Sequence, residues 1–192
     1  MPAAVQALLL RVERELRDRT RTGRDDVDDI TTHLLQAGGK RVRPTLLLLA
    51  SDLGDIGRPG VVDAAVAVEL LHLATLYHDD VEDGADRRRG VASANRVFGN
   101  RLAVFGGSFL FGRAMELFAT LGDDVSRIAS EAALALWRGQ TLEAEHAFDL
   151  RLTRDTYFEI VEAKTASLCS LPCRLGAMML SLIHISEPTR PY

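Results

Sequence analysis

The stretch Val61–Asp83, VVDAAVAVELLHLATLYHDDVED, decides the fold. Through Val66, Val68, Leu70, Leu71, Leu73, Ala74, Leu76 and Tyr77 it is apolar on nearly every side. A helix without a polar face belongs at the centre of a fold. His72, Thr75 and Asp79 break that pattern at three- and four-residue spacing, so they line one face. Buried polar groups without partners are costly, so this stripe must look into a cavity or onto partners.

The helix ends in His78-Asp79-Asp80-Val81-Glu82-Asp83. Asp79 and Asp83 lie one turn apart with Asp80 beside them, and the spacing predicts three acids converging on a small volume. Their repulsion calls for cations, and hard oxygen ligands suit Mg²⁺ together with a polyphosphate. The same DDxxD spacing recurs at Asp25-Asp26-Val27-Asp28-Asp29. There the acids match a helix N-terminus on a solvated surface and carry no chemistry; Asp123-Asp124 is likewise a helix start.

Working outward, residues 3–19 carry an apolar stripe through Val5, Leu8, Leu9, Val12 and Leu16, an amphipathic helix. A second helix starts at Asp25–Asp29 and ends at Gly38-Gly39. Pro44 opens a third over Thr45–Leu53, and 54–60 is a turn. Residues 92–121, 124–149 and 154–182 read as three further long helices, with Gly122-Asp123 between the first two and Thr153 capping the last. FDLRLTR at 148–154 alternates like a strand but is too short to count as one. The expectation is an all-α fold, a bundle of long antiparallel helices around a central cavity, in one domain over residues 1–182. From Ile183 the sequence turns to IHISEPTRPY, which cannot continue a helix and resembles a translated sequencing-adaptor tail. Residues 183–192 are therefore expected to be non-native, and the natural chain to have been cut here.

The 192 residues hold 23 basic and 27 acidic side chains, a net charge of -4, and 47% are hydrophobic. That is the profile of a globular domain without a basic footprint for nucleic acid. No stretch is read as approaching the ~20 apolar residues of a membrane span, and the N-terminus lacks a signal-peptide shape, so a cytoplasmic chain without stable membrane insertion is expected. Cys169 and Cys173 lack the partners of a zinc site and read as reduced apolar fillers.

Two basic clusters complement the acids. Gly38-Gly39-Lys40-Arg41-Val42-Arg43-Pro44 combines a pliant glycine pair with three cations, a combination able to hold a diphosphate through side chains and backbone N–H groups. It lacks the rest of a Walker pattern. Arg87-Arg88-Arg89-Gly90 follows the acids closely. Acids for metal beside two cationic clusters for phosphates form the signal.

GGKRVRP, ELLHLATLYHDDVEDGADRRRG, GNRLAVFGGSFL, GQTLEAE and YFEIVEAKTASL, in this order, resemble the motif series of trans-isoprenyl diphosphate synthases, the polyprenyl synthetase family. The resemblance runs from about residue 38 to about 180 and implies an all-helical bundle around a deep cavity. It implies that Asp79, Asp80 and Asp83 bind Mg²⁺ bridging an allylic diphosphate, which Arg88 also contacts. Lys40, Arg43, His72 and Arg89 match the positions that hold isopentenyl diphosphate. Lys164 and Thr165 match a pair facing the allylic diphosphate and the developing carbocation, and Gln140 with Glu143 a polar pair lining the same cavity. Asp86 is expected to support the arginine loop.

The implied reaction is ionisation of the allylic C–O bond, attack by the isopentenyl double bond and loss of a proton, in a site that excludes water. Ala74 and Thr75 lie on the expected route of the growing tail; being small, they imply geranylgeranyl diphosphate or longer products, and Ala74→Phe is expected to shorten them. Tyr77 or a phenylalanine within 105–111 is the alternative block to that tunnel. The family's second aspartate-rich motif is absent from these residues, and Gly107 stands where relatives usually carry aspartate. This chain alone is therefore expected to be inactive and poorly stable, and the full-length protein a homodimer. The competing readings are a non-catalytic subunit of a heteromeric synthase and a class I terpene cyclase. Retention of the acids opposes the first, and GGKRVRP opposes the second.

Overall fold

The structure, a computed structural model, describes residues 1–179; the expected foreign tail at 183–192 and the expected helix end at 180–182 lie outside the described residues. The chain is all-α apart from one short hairpin. Helix α1 (Ala3–Arg19) buries Val5, Val12 and Leu16 along one stripe. In α2 (Asp25–Gln36) the DDVDD acids serve the N-terminus: Asp26 pairs with Arg24 at 2.8 Å and Asp28 accepts from the Thr22 amide at 2.6 Å. Helix α3 (Val42–Ser51) starts two residues before Pro44, which a first turn tolerates.

Helix α4 (Val61–Glu82) is buried from Ala64 to Leu71 without a break, and α1, α3 and α6 pack around it. Tyr77 is fully buried; its hydroxyl donates to the Ile30 carbonyl and accepts from the Leu34 amide, tying α4 to α2. Helices α4 and α6 (Asn100–Thr120) are, contrary to expectation, long and apolar enough by composition to cross a membrane. For α4, 72% of its most apolar window is buried inside the protein, as in a core helix.

The expected helix over 92–121 is interrupted. Strands β1 (Arg87–Arg88) and β2 (Val91–Ala92) form an antiparallel hairpin, α5 (Ala94–Phe98) follows, and Gly99 at φ 82 separates it from α6. Helix α7 (Asp123–Glu145) comes next. Residues 148–153 are irregular rather than a strand, with Phe148 at φ 64 and fully exposed. Thr153 caps α8 (Arg154–Val161), its hydroxyl accepting from the Thr156 amide at 3.1 Å. The expected helix over 154–182 is broken by a π-helical turn at Glu162–Ala166 before α9 (Ser167–Met179). Cys169 and Cys173 carry free thiols, and the exposed Cys173 fills no apolar gap.

Helix α9 closes the bundle against α3 and α7. Gly176 permits this: a Cβ there would lie 2.6 Å from the Leu47 carbonyl oxygen and 2.7 Å from the Ala50 Cβ. Helices α3, α4 and α7, the π turn and α9 thereby surround one interior pocket.

Candidate functional site

The pocket has a volume of about 100 Å³. Arg43 enters from α3, His72, Thr75 and Asp79 from α4, Gln140 from α7, and Lys164 and Thr165 from the π turn; Leu76, Leu136 and Leu168 complete the wall. The stripe His72, Thr75, Asp79 thus does look into a cavity. The volume lies below the roughly 300 Å³ at which small-molecule pockets usually begin.

The acids divide in two. On a helix Asp79 and Asp83 share a face, whereas Asp80 is rotated about 100° away. Asp80 is fully buried and its Oδ1 accepts from Arg88 Nε at 2.7 Å, so the expected convergence of three acids is corrected to two plus an ion pair. Burial raises the Asp79 pKa, Lys164 opposes that, and the charge of Asp83 adds to it. Among the described residues no three His, Cys, Asp or Glu side chains stand together as a preformed metal cage. Yet Asp79 and Asp83 share a face and repel one another, so this end of α4 fits a divalent cation held by these two carboxylates.

Lys164 reaches across from the π turn and pairs with Glu143 of α7. Burial works to lower its pKa, but Glu143 and the charges of Asp79 and Asp83 outweigh burial and raise it. Glu143 itself is exposed on the rim and does not line the pocket, whereas Gln140 does and donates to Glu82 Oε2 at 2.9 Å. The π turn rests on Gly139, where a Cβ would overlap the Lys164 backbone nitrogen.

At the other end lie the cations. Burial drives the His72 pKa down to about 3, and Arg43, Arg89, Arg88 and Arg41 push it the same way. The imidazole is neutral at pH 7, and its Nδ1 is buried without a partner, as is Arg43 Nε. Lys40 is exposed and lies outside the pocket lining. Arg89, at φ 52, donates to the Gly38 and Leu34 carbonyls, which brings the arginine hairpin onto the GGKRVRP loop. Asp86 does not support that hairpin through its side chain, which pairs with Arg96 at 3.0 Å.

Thr75 lines the pocket, but Ala74 is 1% exposed in the packed core and does not. A phenylalanine at Ala74 would overpack that core. At Gly107 the missing side chain is occupied: a Cβ there would lie 2.7 Å from His78 Nε2. Glu69, a 2%-exposed carboxylate in the middle of α4, pairs with Arg41 and is not among the residues the sequence singles out. A carboxylate amid an apolar helix was the available signal.

The fold is thus an all-α bundle whose interior pocket brings Arg43, His72, Asp79 and Lys164 onto common walls. The chain belongs to the polyprenyl synthetase family, whose pattern residues 24–189 match. It is 39% identical over 177 residues to nonaprenyl diphosphate synthase of Mycobacterium tuberculosis, covering 92% of this chain and 53% of that protein. Among solved structures it superimposes on a decaprenyl diphosphate synthase from Rhodobacter capsulatus with a TM-score of 0.88 and 34% identity, over 93% of this chain and 55% of that one. A polyprenyl synthase from Caulobacter crescentus, crystallised with calcium and isoprenyl diphosphate, gives a TM-score of 0.87 and 35% identity over 92% and 54%. The chain spans about half the length of these relatives.

Proposed function

We propose that this chain supplies the diphosphate-binding part of a prenyltransferase that condenses isopentenyl diphosphate with an allylic diphosphate to give a trans-polyprenyl diphosphate of geranylgeranyl length or longer. The observation carrying this reading is the electrostatic division of one pocket. Neutral His72 lies under the charges of Arg43 and Arg89, and Arg43 Nε is buried without a partner, while Asp79 and Asp83 repel one another at the acidic end. Two diphosphate heads with divalent ions between them balance both ends.

Asp79 and Asp83 would hold Mg²⁺, which when bound stabilises charge on a departing diphosphate. Lys164 and Arg88 add positive charge on the allylic side. Lys40, Arg43, Arg89 and neutral His72, which can donate one hydrogen bond, hold the isopentenyl diphosphate. Leu76, Leu136 and Leu168 keep water from the reacting carbons, and the Thr165 hydroxyl offers a dipole without a strong nucleophile. Thr75 sits where a tail would pass, and the names of the nonaprenyl and decaprenyl relatives support a long product. Exposed Leu102, Val104 and Phe105 on α6 support pairing of two copies in the full-length protein.

The test is calorimetric titration of the 192-residue chain with isopentenyl diphosphate and, separately, with geranyl diphosphate, each with and without Mg²⁺. The expected result is binding of both, with geranyl diphosphate dependent on Mg²⁺ and lost in Asp79→Ala, and no turnover by this chain alone. Failure to bind either diphosphate overturns the reading, and turnover overturns the expected inactivity.

A further inference from the structure

Arg41 is the most tightly held cation of the GGKRVRP loop. Its side chain is 9% exposed and its backbone is left-handed at φ 48, immediately before α3. Its Nε and Nη2 donate to the Glu13 carboxylate of α1, and its Nη1 to Glu69 Oε1 of α4 at 3.2 Å. Burial alone would lower its pKa, but the two carboxylates outweigh burial and raise it. With its donors so engaged, Arg41 has little left for a ligand.

Its consequence lies in the residues around it. The Gly38 carbonyl accepts from both Arg41 Nη1 and Arg89 Nη1, and Gly39 passes between the two guanidinium groups. A Cβ on Gly39 would lie 2.6 Å from Arg41 Nη1 and 2.8 Å from Arg89 Nη1. The charges of Arg41 and Arg89 repel one another, and buried Glu69 interacts with Arg41, Arg89 and Arg43 together. A buried carboxylate costs desolvation that an apolar residue in α4 would avoid, so its presence needs a compensating role.

We propose that Glu69, acting through Arg41, is a positioning residue for the isopentenyl diphosphate site. It anchors Arg41, which fixes the loop path that carries Lys40 and Arg43 and the seat on which Arg89 rests. The proposal builds on the assignment of these cations to isopentenyl diphosphate made above.

Glu69→Gln keeps the shape and removes the charge, and Arg41 retains Glu13, so the variant is expected to fold. Calorimetry on the 192-residue chain should find isopentenyl diphosphate bound about tenfold more weakly and geranyl diphosphate with Mg²⁺ within about twofold of wild type. Arg41→Gln with Glu69→Gln should bind isopentenyl diphosphate no more weakly than Arg41→Gln alone, because one residue acts through the other. Unchanged isopentenyl diphosphate affinity in folded Glu69→Gln overturns the proposal. Equal loss of both ligands with a lowered melting temperature also overturns it, as the mark of a merely structural role. If the wild type binds no isopentenyl diphosphate, the functional assignment fails by itself. The Arg89 Nε–H resonance then decides the positioning role: a shift in Glu69→Gln upholds it, and an unmoved signal overturns it.

Discussion

Asp80 and Arg88 are locked together across the end of α4: the carboxylate is wholly buried, and Arg88, 31% exposed, lies over it with Nη2 at 2.5 Å. Removing the guanidinium strands a buried charge whose other oxygen already lacks a partner. Arg88→Ala is therefore expected to cost about 3 kcal/mol in urea unfolding, and adding Asp80→Leu to recover most of the loss. A double variant as unstable as the single one would contradict this.

His72 should stay neutral through the physiological range. Its folded pKa of about 3 lies below the ordinary histidine value of 6.5, so the unfolded chain takes up the proton first. Stability is then fully present above about pH 6.5 and falls as pH drops towards 3, by up to about 1.4 kcal/mol per pH unit. His72→Gln should flatten that part of the profile. Nuclear magnetic resonance should show no titration of the His72 ring between about pH 8 and about pH 5.

The two glycines of the loop should respond differently. Gly38, at φ 83, has open space where a Cβ would go, so Gly38→Ala costs about 1 kcal/mol of backbone strain and keeps diphosphate binding. Gly39→Ala forces the Arg41 and Arg89 guanidinium groups apart and should weaken isopentenyl diphosphate binding by about tenfold or more. Parallel titrations of the two variants compare these outcomes.

Gly139→Ala reverses the usual sign. In an exposed helix interior this change stabilises by about 1 kcal/mol. Here the new methyl meets the backbone of Ala163 and Lys164, which cannot yield as a flexible side chain does. A loss of about 2 kcal/mol is expected by chemical denaturation, together with weaker geranyl diphosphate binding as the Lys164–Thr165 turn is displaced.

The sequence made the centre of the fold legible because composition alone distinguishes a helix that is apolar all round from one with a single stripe, and α4 proved buried as read. The facing of His72, Thr75 and Asp79 into one pocket followed from helical period. What escaped was geometry that breaks period. The hairpin at 87–92 needs an arginine at positive φ, for which Arg89 carries no compositional cue. The π turn at 162–166 adds a residue to a helix whose sequence continues smoothly, so Lys164 and Thr165 were placed on the right element with its bend unseen. Asp80 was grouped with its neighbours by spacing, although a rotation of one residue sends it to Arg88. Glu69 went unremarked because the apolar run around it dominated the reading.

Gly176 seats α9 against a segment of α3 that lies 125 residues earlier, where Ser51 Oγ meets the Gly176 carbonyl at 3.5 Å. Closure over so long a separation comes late, because chain ends must meet before the contact repays the lost freedom. As the polypeptide emerges from a ribosome, Leu47 and Leu48 therefore lack their last cover until α9 has been made, and the nascent chain passes through a stage with that greasy seam open to chaperones or to other chains.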